Sequence, residues 1–145
     1  MPNMIYLGPV SSSTCELPFF SARVPAGFPS PAEDHLDQKI SLDALLNIDA
    51  PHTYLVRASG DSMINAGIFD EDVLIVSRAL PPTDGDIVIA AINGDIFIKR
   101  LSKAGEQIIL QPENPKYLPR YILESDELVI WGVVTASIRR HHGHA

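Results

Sequence analysis

Two stretches of this chain carry side chains that could do covalent chemistry. The first, Ser59-Gly60-Asp61-Ser62-Met63, follows a strand-like run over 54–58 and precedes Ile64-Asn65-Ala66-Gly67-Ile68. A serine in a glycine-bearing bend at a strand end is an exposed hydroxyl on a rigid frame. Gly, Asp and Ser are also the ordinary turn residues, so this stretch alone reads first as a turn. The second is Asp95-Ile96-Phe97-Ile98-Lys99-Arg100-Leu101. Alternation puts Phe97, Lys99 and Leu101 on one face and Ile96, Ile98 and Arg100 on the other. A lysine between two large apolar residues either snorkels or lies on a solvated face, or it is desolvated. In the last case burial disfavours the ammonium, and the neutral amine can take a proton from a serine hydroxyl. Ser–Lys is a recognised nucleophile–base pair. Arg100 cannot substitute, because a guanidinium does not deprotonate in proteins. The histidines are poor rivals: His141, His142 and His144 lie in a polar tail, His35 in a predicted helix, and His52 after a proline before the first strand.

The elements that must position these groups are short Val- and Ile-rich runs separated by turns. The pattern predicts strands at about 53–58, 72–77, 86–92, 95–102, 107–111 and 128–138. Turns fall at 67–72 and 81–86, and Asn93-Gly94 marks a type I′ hairpin. Asn114-Pro115 and Pro119 mark a further loop. Before residue 30 there is no sustained period. Prolines at 2, 9, 18, 25, 29 and 31 rule out continuous helix and disfavour a central strand. Residues 1–29 are therefore expected to form an extended arm, with Phe19, Phe20 and Phe28 as docking residues. Ser30-Pro31-Ala32-Glu33 has the form of a capping box with proline at the first helical position. It predicts a short helix over 31–39 with Leu36 and Ile40 inward, and 41–47 could add another turn or two. The expected fold is a mostly β, single compact domain over 30–139, with the arm before it and a polar tail over 140–145.

With 145 residues, 46% of them hydrophobic, the chain can bury a real core. Its net charge of −7 argues against a stand-alone nucleic-acid binder, so any route to DNA would run through a protein partner. Cys15 is the single cysteine, which excludes an internal disulfide and favours a reducing compartment. No membrane-length apolar run and no metal-ligand spacing is present, so a cytoplasmic chain without cofactor or metal is expected.

Three segments taken together resemble the Ser–Lys self-cleaving peptidases related to the LexA repressor. They are Val56-Arg57-Ala58-Ser59-Gly60-Asp61-Ser62-Met63 with Gly67-Ile68 and 72–76; Gly85-Asp86-Ile87-Val88-Ile89-Ala90; and Ile98-Lys99-Arg100-Leu101. Phe28-Pro29-Ser30-Pro31-Ala32 and the overall length look most like the UmuD branch, the accessory subunits of error-prone translesion polymerases. The resemblance covers about 17–138. It implies Ser62, not Ser59, as nucleophile and Lys99 as general base. It also implies a scissile bond at Ala26-Gly27 in the arm, a position where some relatives carry Cys before the glycine. An extended arm can lie beside a strand edge, and Gly27 leaves the carbonyl sterically open. Backbone amides of Asp61 and Ser62 are the expected oxyanion donors. The resemblance further implies a homodimer, an activated RecA–single-stranded-DNA filament as trigger and a Y-family polymerase as partner. About 29 residues of proline-rich arm cannot hold the helix-turn-helix domain of the repressor branch. The competing readings are a non-catalytic β-rich module binding a polymerase or filament and, more weakly, a hydrolase of external substrates.

Overall fold

The computed structural model describes residues 4–9, 16–20, 36–48 and 51–143. Ten strands and one short helix follow in chain order: β1 (Met4–Pro9), β2 (Glu16–Phe20), β3 (Leu36–Ser41), α1 (Leu42–Leu45), β4 (Thr53–Ala58), β5 (Val73–Ser77), β6 (Ile87–Ile92), β7 (Asp95–Ala104), β8 (Gln107–Gln111), β9 (Arg120–Tyr121) and β10 (Leu128–Ile138). Eight of them form one antiparallel sheet in the order β1-β4-β5-β10-β6-β7-β8-β9, while β2 and β3 pair as a separate ribbon. The fold is mostly β, as the spacing of the apolar runs implies. Among the described residues no helix is long and apolar enough to cross a membrane.

The six expected strands are present, and the β6–β7 hairpin turns on Asn93 (φ 52°) and Gly94 (φ 90°), the double positive φ that a type I′ turn demands. The expected helix over 31–39 needs correction. Residues 31–35 lie outside the described part of the chain, but Leu36–Ser41 is a strand paired antiparallel with β2. Helix begins only at Leu42, where the Ser41 hydroxyl accepts from the Ala44 amide (3.1 Å). A partner strand that pairs with the backbone along 36–41 outweighs a weak local helix preference. The N-terminal segment also differs from a plain extended arm, since β1 adds to the large sheet beside β4. Its proline obeys the edge-strand rule: Pro9 ends an outermost strand, and Pro18 lies in a ribbon with two edges.

The middle of the sheet is buried on both faces. Ile89 of β6 and Ile98 of β7 pack with Tyr54, Val56, Met63, Leu74 and Val76. Val88, Ala90 and Ile92 point the other way, to Leu101, Leu110 and Val133. Strand β10 can serve both halves because its register shifts twice, between Ile130 and Gly132 against β6 and between Val134 and Ala136 against β5. Such bulges bend a strand and increase its twist. Gly132 is required at the first bend, where an added Cβ would fall 2.6 Å from Val76 Cγ1 and 2.9 Å from the Ser77 carbonyl oxygen.

An ion pair between an exposed arginine and a buried carboxylate fastens the end of β10. Arg139, just past β10, makes two contacts to the Asp72 carboxylate (2.7 and 2.8 Å), and the Phe69 amide donates to the same group (2.9 Å). The Arg139 hydrogen bonds lead the effects that hold Asp72 below the usual carboxylate range. A carboxylate whose pKa is lowered by folding stabilises the fold above its unfolded pKa and loses that contribution as pH falls through the folded value.

Two tests follow from these contacts. Gly132→Ala should cost about 2 kcal/mol, the usual range for overpacking, and an unchanged urea midpoint would contradict the close approach. Arg139→Gln should be less stable than the parent at neutral pH. The gap should narrow below about pH 4, where carboxylates protonate, in thermal melts across that range.

Candidate active site

Strand β4 delivers the chain into the bend that holds Ser62. Gly60 takes a positive φ (88°), and its amide donates to Asp70 Oδ1 (2.8 Å). After the bend a single 3-10 turn, Ile64–Ala66, closes on Gly67 (φ 83°). Across the cleft, Phe97 and Leu101 pack with the Leu110 half of the core, while Ile96 and Ile98 pack with the other half. The alternation read from the sequence therefore holds. Lys99, on the Phe97 face, projects at Ser62: its Nζ stands 3.1 Å from Ser62 Oγ and 3.0 Å from the Ile98 carbonyl oxygen. Ser62 is buried, so the pair meets where little water competes.

Desolvation is the cause that moves Lys99. Burial pulls its ammonium down to about 8. Phe97 contributes to that environment, its ring centroid lying 5.6 Å from Nζ. A lysine near 8 is largely protonated at neutral pH and then donates to Ser62. Once deprotonated, it accepts from the hydroxyl instead. The arrangement can thus generate an alkoxide-like nucleophile without histidine or metal, the chemistry of a Ser–Lys pair.

A loop that sequence reasoning marked only by its prolines clamps the bend from the far side. The Glu113 amide donates to the Ser62 carbonyl (2.9 Å), and the Asn65 amide donates to the Glu113 carbonyl (2.9 Å). Asn114, itself buried, donates through Nδ2 to the Asp61 carbonyl (2.9 Å) and accepts from the Lys116 amide (3.0 Å). Tyr117 donates its hydroxyl to Asp61 Oδ1, and that bond to a carboxylate leads the effects raising the phenol pKa. Because a trans peptide points its N–H opposite its C=O, the Ser62 and Met63 amides face away from this loop. That gives the Ser62 amide, one of the two expected oxyanion donors, a fixed direction. Asp61 supplies two of the three acceptors that anchor the loop, and the Ser62 carbonyl is the third. Only a Pro-flanked Asn and Tyr hinted at these residues in the sequence.

The cleft around the pair has a volume of about 510 Å³, and Ile92, Phe97, Leu110 and Leu118 give it apolar walls. Its other walls include Ser59, Gly60 and Arg120. Ala26 and Gly27, the expected scissile pair, lie outside the described residues.

Residues 18–135 match the model of the peptidase S24-like family. The chain belongs to that family. Among curated proteins it is 42% identical to Protein SamA of Salmonella typhimurium over 132 residues, covering 91% of this chain and 89% of SamA. Protein MucA of Escherichia coli is 38% identical over 132 residues, covering 90% of each chain. The LexA repressor of Bordetella avium is 37% identical over 122 residues, which is 84% of this chain but 57% of that repressor. The resemblance to the UmuD-type branch of the LexA-like family, read from the motifs, is thus upheld, and membership supports a serine peptidase.

Desolvating an ammonium costs stability, so an apolar side chain of similar length should be better tolerated by the fold than the lysine. Lys99→Met should raise the unfolding free energy by about 1 kcal/mol, in the range typical of relieving a strained functional site. A lower melting temperature for this variant would mean that Lys99 is not held against its own solvation.

Proposed function

We propose that this protein is a Ser–Lys autopeptidase of SOS mutagenesis that cuts its own N-terminal arm at Ala26-Gly27. The observation that carries the reading is the 3.1 Å contact between Ser62 Oγ and a half-buried Lys99 Nζ. Family membership and the UmuD-like relatives support the biological setting.

In the proposed reaction neutral Lys99 accepts the Ser62 proton as Oγ attacks the Ala26 carbonyl carbon. The resulting oxyanion is met by backbone amides of Asp61 and Ser62. Collapse breaks the Ala26–Gly27 C–N bond, Lys99 returns its proton to the departing Gly27 amine, and Ser62 is left acylated by the arm. Water, deprotonated by Lys99, then hydrolyses the ester and frees the Ala26 carboxylate. The apolar walls of the cleft suit a short-side-chain arm running past Ile92, Phe97 and Leu110. The remaining body, residues 27–145, acts as a homodimeric accessory subunit of a Y-family translesion polymerase. A RecA–single-stranded-DNA filament promotes the cut. An acidic chain of net charge −7 reaches DNA through such partners and not by itself.

The trigger has a physical basis in the lysine. Near neutral pH a group with a pKa of about 8 is mostly charged, and the charged form cannot act as base. An arm seated in the cleft excludes water and shifts Lys99 toward the neutral form.

Raising the pH from about 7 to about 9 should increase the neutral fraction, and with it the rate of self-cleavage without filament, roughly tenfold. Intact mass measured over time should show a new N-terminus at Gly27. Ser62→Ala and Lys99→Ala should both abolish the cut while retaining the parent's circular dichroism. A flat pH profile, or cleavage that survives Ser62→Ala, would rule out this mechanism.

A further inference from the structure

The strand that flanks β4 is held in an unusual way for part of a sheet. β1 is the outermost strand, and its register with β4 runs from Met4 opposite Ala58 to Pro9 opposite Tyr54, with a break between Tyr6 and Gly8. Beyond the backbone ladder its one buried side chain is Met4, which shares a core cluster with Tyr54, Val56 and Ala58, and the strand touches β7 as well as β4. Tyr6, on the same side of the strand as Met4, adds a tilted ring contact with Tyr54 (centroids 5.4 Å apart). Ile5, Tyr6 and Leu7 are otherwise exposed. A strand attached mainly through main-chain hydrogen bonds and one buried side chain is exchangeable, because another extended segment can supply the same bonds.

The position of the proposed cut gives that exchangeability a use. Ala26-Gly27 lies in the chain between β2 and β3, so the departing piece carries both β1 and β2. Its covalent tie is lost, and it is then held to the body only by pairing of β1 with β4 and of β2 with β3. When it leaves, β4 becomes an edge with an open row of amides and carbonyls and an empty Met4 socket opposite Ala58. An unpaired edge of this kind is a template for a further strand.

We propose that the outer edge of β4 is a strand-acceptor site, filled by β1 in the intact chain and offered to a partner protein once the arm departs. Its ligand is an extended peptide segment with an apolar residue in the place of Met4 and an aromatic residue two positions later. The acceptor's vacancy rests on the cleavage reading above; the acceptor itself does not. A second processed copy cannot fill the site with its own β1, since processing removes that strand, which is why the occupant is a segment of another protein.

The test uses the full chain with Ser62→Ala and a recognition sequence for a site-specific protease in place of residues 24–28, so that the nick is made independently of self-cleavage. The probe is a fluorescein-labelled peptide with the sequence of residues 1–12. The intact chain should not bind it, whereas the nicked chain should bind saturably by fluorescence anisotropy and slow the hydrogen exchange of β4 amides. The same peptide with Met4→Asp should bind at least about tenfold more weakly, since burying a methionine is worth more than the 1.4 kcal/mol that a tenfold change represents. Equal binding to intact and nicked chains, binding to neither, or undiminished binding of the Met4→Asp peptide would overturn the proposal. So would association of nicked chains with one another through β4 in the absence of peptide. Failure of the unmodified protein to cut itself leaves these outcomes unaffected and bears on the cleavage reading alone.

Discussion

An amine held among apolar side chains, within hydrogen-bond reach of a serine hydroxyl, is the constraint around which this structure is arranged. The Lys99 ammonium loses much of its water, and the Ile98 carbonyl, Ser62 Oγ and the face of Phe97 partly compensate it. This arrangement persists because the surrounding sheet fixes Lys99 between Phe97 and Leu101, on a strand whose opposite face is packed as well. A one-residue slip of β7 against β6 would turn Lys99 to the other face and place Ile98 or Arg100 opposite Ser62. The β6–β7 register, pinned by Asn93-Gly94, therefore matters as much to the chemistry as the lysine itself.

The serine is fixed by a different device. Its bend is anchored in the core by Met63, and two other segments, at Asp70 and at the 113–117 loop, hold it by hydrogen bonds. Asp70 takes the Gly60 amide, Asn114 and the Glu113 amide take the two carbonyls around Ser62, and Tyr117 takes the Asp61 carboxylate. Asp72 extends the same scaffold: its carbonyl accepts from the Ala58 amide at the end of β4, while its carboxylate is locked by Arg139. The result is a rigid hydroxyl on one wall and a tunable amine on the other, with about 510 Å³ of mostly apolar cleft between them. Such a site has room for a peptide but little intrinsic drive to ionise at neutral pH.

The N-terminal region shows how tertiary partners override local signals. The described parts of 1–29, Met4–Pro9 and Glu16–Phe20, are strand and not helix, in keeping with the prolines, yet those prolines give no indication that Met4–Pro9 joins the main sheet, because an edge strand tolerates proline at its end and needs only one buried side chain. The capping pattern at 30–33 pointed to helix through residue 39, whereas Leu36–Ser41 pairs with Glu16–Phe20. Pairing across 15 intervening residues leaves no periodic trace in either segment.

By itself the sequence determined the elements with strong local codes. Alternating Val and Ile runs located six of the seven strands from Thr53 onward, all but the two-residue β9, Asn93-Gly94 set their central hairpin, and the face occupied by Lys99 followed from the two-residue period. The motif resemblance also singled out Ser62 and Lys99, and the family match upholds the resemblance itself. Only the tertiary structure decided that their side chains stand 3.1 Å apart and that Lys99 is desolvated, since both depend on which half of the sheet curls over the bend. It alone also brought Asn114 and Tyr117 beneath Asp61 and added β1 to the edge of β4. Those contacts join residues about fifty positions apart, and hydrogen bonds of that range are set by the closed fold, not by any local pattern in the chain.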